Sequence, residues 1–260
     1  MVRRRPNPLP WIYRWRTNLI QTPLFAVITA VCGTLSLLVS LVDKKGNVQH
    51  RIARVWARGC VWASGSKLTV RGAENLYKQE VAVFASNHTS YMDTPVVFAS
   101  LPLQFRILAK KELWPIPFIG WYLNRSGQIP IDTVNPRATL SSLGAGAKAL
   151  RAGMPLFVFP EGGRTSDGEL RPFLSGAAYL AIRAQVPLVP IALNGVYDLL
   201  PIHTRHFYPG ELIFSVGEPI ETKGMTIRQT DALTERLRIA ISDLRDHSEL
   251  NGAEEVANLA

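Results

Sequence analysis

Residues 18–42 form an unbroken run without a single charged side chain, and most positions in it are apolar. Wound as a helix at about 1.5 Å per residue, the run is about 37 Å long, against about 30 Å of hydrocarbon in a bilayer. Arg3, Arg4, Arg5, Arg14 and Arg16 precede it, and Lys44 and Lys45 follow it. A helix of that kind must lie in lipid or be enclosed by protein on every side. The basic flanks favour lipid, and an arginine-rich leader favours a cytosolic N-terminus. Cys32-Gly33-Thr34 inside the run is a poor cleavage site, which argues against a signal peptide.

Charge supports the same reading. The chain of 260 residues carries a net charge of +9. Residues 1–71 hold twelve Lys and Arg against one acid, Asp43, and the other residues are slightly acidic. The basic excess thus belongs to the quarter that contains the apolar run, so a membrane is the expected partner and nucleic acid is not. A second helix is expected over residues 48–63. Arg51, Arg54 and Arg58 fall within an arc of about 60° on its wheel, and Ile52, Trp56, Gly59 and Ala63 cluster away from them. Such an amphipathic helix suits an anionic lipid interface. Gln21, Thr22, Thr29, Thr34, Ser36 and Ser40 leave open whether the first helix spans the bilayer or dips into one leaflet with the second. Two isolated cysteines, Cys32 and Cys60, give neither a disulfide framework nor metal spacing, consistent with a reducing cytosolic face.

From Lys67 the pattern changes. Strands are expected at 68–71, 81–85, 105–109, 156–159, 188–193 and 212–216. Helices are expected at 94–100, 112–124, 137–152, 176–184 and 227–245. Strands alternating with helices predict an α/β sheet covered by helices. The organisation is then a basic leader (1–17), a two-helix membrane-associating segment (18–64), a catalytic domain (65–247) and a frayed tail (248–260). With 47% hydrophobic residues the chain can build a sizeable core.

Two polar clusters interrupt this scaffold. Asn87-His88-Thr89-Ser90-Tyr91-Met92-Asp93 follows an apolar strand. On one continuous helix His88 and Asp93 would point about 140° apart. A turn running into a helix can instead bring Asp93 back to the imidazole and steer it as a base, and Asp93 is also a candidate N-cap. Phe159-Pro160-Glu161-Gly162-Gly163-Arg164-Thr165 also follows a strand. Its glycines let backbone approach a ligand, Glu161 can hold a hydroxyl, and Arg164 offers a planar fork for phosphate oxygens. Lys110, at the end of the third strand, is a further candidate for phosphate. The bland alternatives are a capped helix and a solvated surface turn. The pair of clusters suggests acyl transfer to an alcohol that carries an anionic group.

Four blocks in order, NHTSYMDTP, RILAKKELWPIPFIGWYL, FVFPEGGRTSDG and VPLVPIAL, resemble those of the 1-acylglycerol-3-phosphate acyltransferases, PlsC-type members of the glycerolipid acyltransferase family. The resemblance runs from about Lys67 to Gly217. It implies a mixed, largely parallel sheet flanked by helices, preceded by a two-helix membrane-docking hairpin. It also implies that His88 takes the proton of the acceptor hydroxyl while Asp93 orients the imidazole. Glu161 would orient the acceptor, amides near Gly162 would face the oxyanion, and Arg164 with Lys110 would hold the phosphate. The expected reaction converts lysophosphatidate to phosphatidate with acyl-CoA or acyl carrier protein as donor and no cofactor or metal. Two positions depart from the family pattern. Gly163 stands where Thr is usual, and Ile131-Asp132-Thr133 lacks the usual Arg, for which Arg137 is the nearest candidate. The alternatives are another acceptor (glycerol 3-phosphate, a lysophospholipid or an aminolipid) and a thioesterase that uses water.

Overall fold

The computed structural model describes residues 11–257 apart from Lys44, Gln79 and Thr133, and no side chains of residues 11–13, Tyr77 and 247–257. The expectations for residues 1–10, for Thr133 and for the last three residues lie outside these. The chain opens with helix α1 (Trp11–Arg16), a π turn (Thr17–Gln21) and helix α2 (Thr22–Val39). Helix therefore begins earlier than the expected leader boundary, because Pro10 is the last breaker before Trp11. Pro23 has no amide to close a regular turn. The helix widens just before it, where the Thr22 amide donates to Thr17 O.

Helix α3 (Asn47–Ser64) returns along α2. Asp43 Oδ2 accepts from the Val48 and Gln49 amides at 2.6 and 3.0 Å and starts it. The two helices have opposite fates. The stretch from Arg14 to Val39 is one helix, long and apolar enough to cross a membrane, and only 6% of its most apolar window is buried. In α3, Ala53, Ala57, Cys60 and Val61 are buried in the main core against helix α5 described below. The α3 face expected to meet lipid meets α2 instead. Trp56 Nε1 donates to Thr29 Oγ1 at 3.0 Å, and a Cβ on Gly59 would stand 3.2 Å from Ile28 Cγ2. The exposed stripe of α3 is Arg51, Val55, Arg58 and Trp62, while Arg54 turns to donate to Pro102 O at 3.1 Å.

The rest of the chain runs β1 (Lys67–Arg71), α4 (Glu74–Tyr77), β2 (Val83–Ser86), α5 (Asp93–Ser100), β3 (Arg106–Lys110), α6 (Ile119–Arg125), β4 (Ile129–Ile131) and α7 (Pro136–Arg151). Then come β5 (Leu156–Val158), α8 (Gly176–Ala184), β6 (Leu188–Asn194), α9 (Val196–Leu199), β7 (Glu211–Val216) and α10 (Thr230–Ala257). The sheet order is β1-β7-β6-β2-β5-β3-β4. Every pairing is parallel except β6 with β7. This is the α/β sheet that the alternating pattern predicted, and the mixed, largely parallel order that the family resemblance implied. Alternate side chains feed two cores. Phe84, Phe157 and Phe214 point to the face covered by α3 and α5. Val83, Leu156 and Leu188 point to the face covered by α7, α8 and α10. Each fully buried phenylalanine contributes about 1.5–3 kcal/mol.

Three expectations change. The helix expected over 112–124 is a 3₁₀ turn (Lys111–Leu113) followed by the shorter α6. Pro115 and Pro117 supply no amides to a helical ladder, and Gly120 is packed so tightly that a Cβ would lie 1.8 Å from Trp114 O. Strand β4, which escaped notice, has three residues with Pro130 in the middle, tolerable only at the sheet edge where it sits. Residues expected to fray after 247 instead continue α10 to Ala257, where Glu249, Leu250, Ala253, Glu254 and Glu255 outweigh Gly252 in helix propensity.

Candidate active site

β2, β5 and β3 are adjacent and parallel, so their carboxyl ends open along one edge of the sheet, the usual ligand side of such sheets. β2 ends at Ser86 and delivers His88. β5 ends at Val158 and delivers Glu161. β3 ends with Lys110. Clusters far apart in the chain become neighbours for this reason.

The first turn is built around one carboxylate oxygen. Asn87 extends the β2–β6 ladder with its side chain, donating Nδ2 to Leu193 O at 3.0 Å and accepting from Leu193 N at 2.8 Å. His88 then turns away from the sheet. Its Nδ1 lies 2.7 Å from Asp93 Oδ2, and the Thr89 and Ser90 amides donate to the same oxygen at 2.6 and 2.9 Å. Asp93 is fully buried at the first position of α5. Its side chain reaches back to the turn rather than capping its own helix, so the N-cap expectation gives way to this use. The imidazole stacks on Phe159, with centroids 3.9 Å apart and planes at 19°. Ring plane and Nδ1 are thereby both fixed, and Nε2 is the nitrogen left for a reacting proton.

The second turn is sewn to the first through backbone. Glu161 Oε1 accepts from the His88 amide at 2.7 Å, and Oε2 accepts from the Arg171 amide at 3.1 Å. Thr165 N donates to His88 O at 3.0 Å, and Arg164 Nε donates to Ser90 O at 3.0 Å. Glu161, expected to hold an acceptor hydroxyl, accepts one of the chain's own amides on each oxygen. Burial outweighs those bonds and pushes its carboxyl up to about 7. Gly162 adopts φ 68°, open to glycine at little cost, and its amide closes a turn on Phe159 O at 3.1 Å. That amide is therefore not a spare donor for an oxyanion.

The cations divide. The Arg164 guanidinium lies over the Tyr91 ring, 4.4 Å from its centroid. Burial pulls its pKa below the usual value, with the Asp93 carboxylate acting in the opposite direction. Lys110 reaches the same turn, with Nζ 3.6 Å from where a Cβ on Gly163 would stand. Lys111 is instead paired with Asp132. Arg137 lies exposed in the first turn of α7, and among the described residues no contact joins its side chain to either turn. The structure thus brings His88, Asp93, Glu161, Gly162, Arg164 and Lys110 together, while the exposed Arg137 makes no hydrogen bond or ion pair to them among the described residues. Sequence reasoning gave no role to Phe159, Ser90 or Tyr91. The aromatic residues beside the polar motif residues were the available signal. The Thr89 and Thr165 hydroxyls and Asp93 Oδ1 are buried in these turns without a hydrogen-bond partner among the described residues.

The family description "Acyltransferase" matches residues 67–194, which span both turns. The chain is 32% identical over 207 residues to the 1-acyl-sn-glycerol-3-phosphate acyltransferase alpha of Homo sapiens, covering 79% of this chain and 73% of that protein. It is 30% identical over 187 residues to the chloroplastic 1-acyl-sn-glycerol-3-phosphate acyltransferase LPAT1 of Arabidopsis thaliana, covering 68% of this chain and 52% of that one. The chain spans about half the length of such plant chloroplast relatives. The crystal structure of the 1-acyl-sn-glycerophosphate acyltransferase PlsC from Thermotoga maritima superposes with a TM-score of 0.75 at 25% identity, over 94% of this chain and 98% of that one. By sequence and by fold alike, the chain belongs to the acyltransferase family.

Proposed function

We propose that this protein transfers an acyl group from a thioester to the free hydroxyl of lysophosphatidate, forming phosphatidate. The observation that carries the reading is the His88–Asp93 contact of 2.7 Å, in a turn stitched to the arginine-bearing second turn. Lysophosphatidate, 1-acyl-sn-glycerol-3-phosphate, is the acceptor that relatives of this chain are named for. With Nδ1 donating to Asp93, Nε2 accepts the hydroxyl proton as the alkoxide oxygen attacks the thioester carbonyl. Asp93 stabilises the imidazolium that forms. Collapse of the tetrahedral intermediate breaks the C–S bond, and the proton passes from Nε2 to the departing sulfur. The products are an ester and a free thiol, so the balance needs no cofactor. Arg164 and Lys110 hold the acceptor phosphate as charge-assisted donors. Glu161 braces the His88 amide. The donor is acyl-CoA or acyl carrier protein.

The exposed apolar helix ending at Val39 associates with the membrane. In this reading it does so from the cytosolic face, with the Arg51–Trp62 stripe of α3 at the headgroups. The test is acyl transfer by the vesicle-bound protein with labelled acyl-CoA or acyl carrier protein. Lysophosphatidate, glycerol 3-phosphate and lysophosphatidylcholine are offered separately. Phosphatidate made by wild type and not by His88→Ala supports the proposal. Product with another acceptor moves the substrate. Free fatty acid with every acceptor makes the protein a thioesterase.

A further inference from the structure

Arg164 is held by two contacts. Its Nε donates to Ser90 O at 3.0 Å, and its Cζ lies over the Tyr91 ring, 4.4 Å from the centroid. The first contact anchors one edge of the fork. Alone it leaves the plane free to swing about the hydrogen bond. The ring restricts that freedom, and an attraction between cation and ring consumes no hydrogen-bond acceptor of a ligand, so the remaining N–H groups stay available. Both supports come from the same turn. Ser90 is itself pinned by its amide to Asp93 Oδ2 at 2.9 Å and by its hydroxyl to Leu200 O at 2.7 Å. Tyr91 is the next residue and stays 55% exposed, so its ring is not needed to fill the core. The oxygen that orients His88 therefore also sets the register of the arginine.

Building on the reading of Arg164 as the acceptor-phosphate ligand, we infer that Tyr91 is a positioning residue that holds the Arg164 fork in the plane that receives the phosphate. It tunes acceptor affinity and takes no part in proton transfer. The phenol oxygen is not required, since the aromatic face does the work.

The experiment is steady-state acyl transfer to lysophosphatidate by vesicle-bound wild type, Tyr91→Phe, Tyr91→Leu, Arg164→Ala and the Tyr91→Leu/Arg164→Ala double variant, with thermal midpoints recorded. Tyr91→Leu is expected to raise KM for lysophosphatidate about 3- to 20-fold with little change in kcat. Tyr91→Phe should behave like wild type. In the Arg164→Ala background the leucine should add nothing, because the group it positions is gone. An unchanged KM in Tyr91→Leu overturns the inference. So does a fall in kcat shared by Tyr91→Phe, which assigns the effect to the phenol oxygen, or an effect of full size in the double variant, which makes the ring a structural prop. If Arg164→Ala itself leaves KM unaltered, the phosphate reading fails first, and that outcome is distinct from a failure of Tyr91 alone.

Discussion

The turn at residues 87–93 and the turn at 159–165 leave neighbouring parallel strands at the same edge of the sheet, yet they are built oppositely. In the first, the acidic side chain faces the reacting imidazole, and Asp93 Oδ2 gathers the ring and two amides around one atom. In the second, the acidic side chain turns inward, and Glu161 ties together the backbone amides of His88 and Arg171, which are distant in the chain. The first turn organises a proton transfer. The second organises the first, and contributes Arg164 from its far end. Two similar-looking Gly- or Ser-bearing loops with a carboxylate can thus divide chemistry from placement, and substitutions should separate the two.

The largest effect is expected at the first turn. His88→Ala should lower kcat about 10²- to 10⁴-fold with the fold retained, and Asp93→Asn should approach it because the imidazole loses its anionic partner. Turnover within a factor of two of wild type in either variant would sink the division. Removing Lys110 as methionine should be milder, raising KM for lysophosphatidate about 3- to 10-fold with kcat nearly constant, as suits an exposed cation at the ligand's edge. A fall in kcat alone would place Lys110 among the reacting groups.

Glu161 sharpens the comparison through pH. Its folded pKa is raised from 4.5 to about 7, so the folded state holds its proton longer than the unfolded chain does. This carboxyl therefore takes stability away as pH rises from about 4.5 to about 7, and nothing further above that. Glu161→Gln should flatten that part of the curve of denaturation midpoint against pH. A variant curve parallel to wild type would show that the carboxyl is not buried as described. The smallest effect is expected for Gly163→Thr. A Cβ there meets Lys110 Nζ at 3.6 Å, an ordinary contact, and the glycine is outside the left-handed region. Stability should move by no more than about 0.5 kcal/mol by calorimetry. A larger loss would mean that the missing side chain is a packing requirement of this chain.

Much was legible in one dimension. The uncharged run at 18–42 announced an apolar helix because charge-free length is a local property. The alternation after Lys67 announced a layered α/β sheet because strand and helix periods are local too. Other features were not legible. Helix α3 reads as a lipid-facing amphipath, yet Trp56 and Gly59 pack on α2, and Ala53 and Ala57 enter the core. A helical wheel ranks faces without naming what covers them. The bracing contacts of Glu161 could not be read, because their donors are backbone amides supplied by His88 and Arg171. Arg137 stood in for a missing cation by sequence distance alone, and the start of α7 leaves its side chain exposed, with no partner among the described residues that would fix it at the site.

What the sequence determined by itself was the inventory: a membrane-seeking helix, a layered sheet, and two strand-end turns bearing the right functional groups. What only the tertiary structure decided was which of those groups meet. Strand order places β5 between β2 and β3, and that adjacency sets the His88 amide against Glu161, the Ser90 carbonyl against Arg164, and the Arg164 plane against Tyr91. Hydrogen bonds and ring contacts act over a few ångströms, and pairs more than seventy residues apart come within that range only once the sheet has formed.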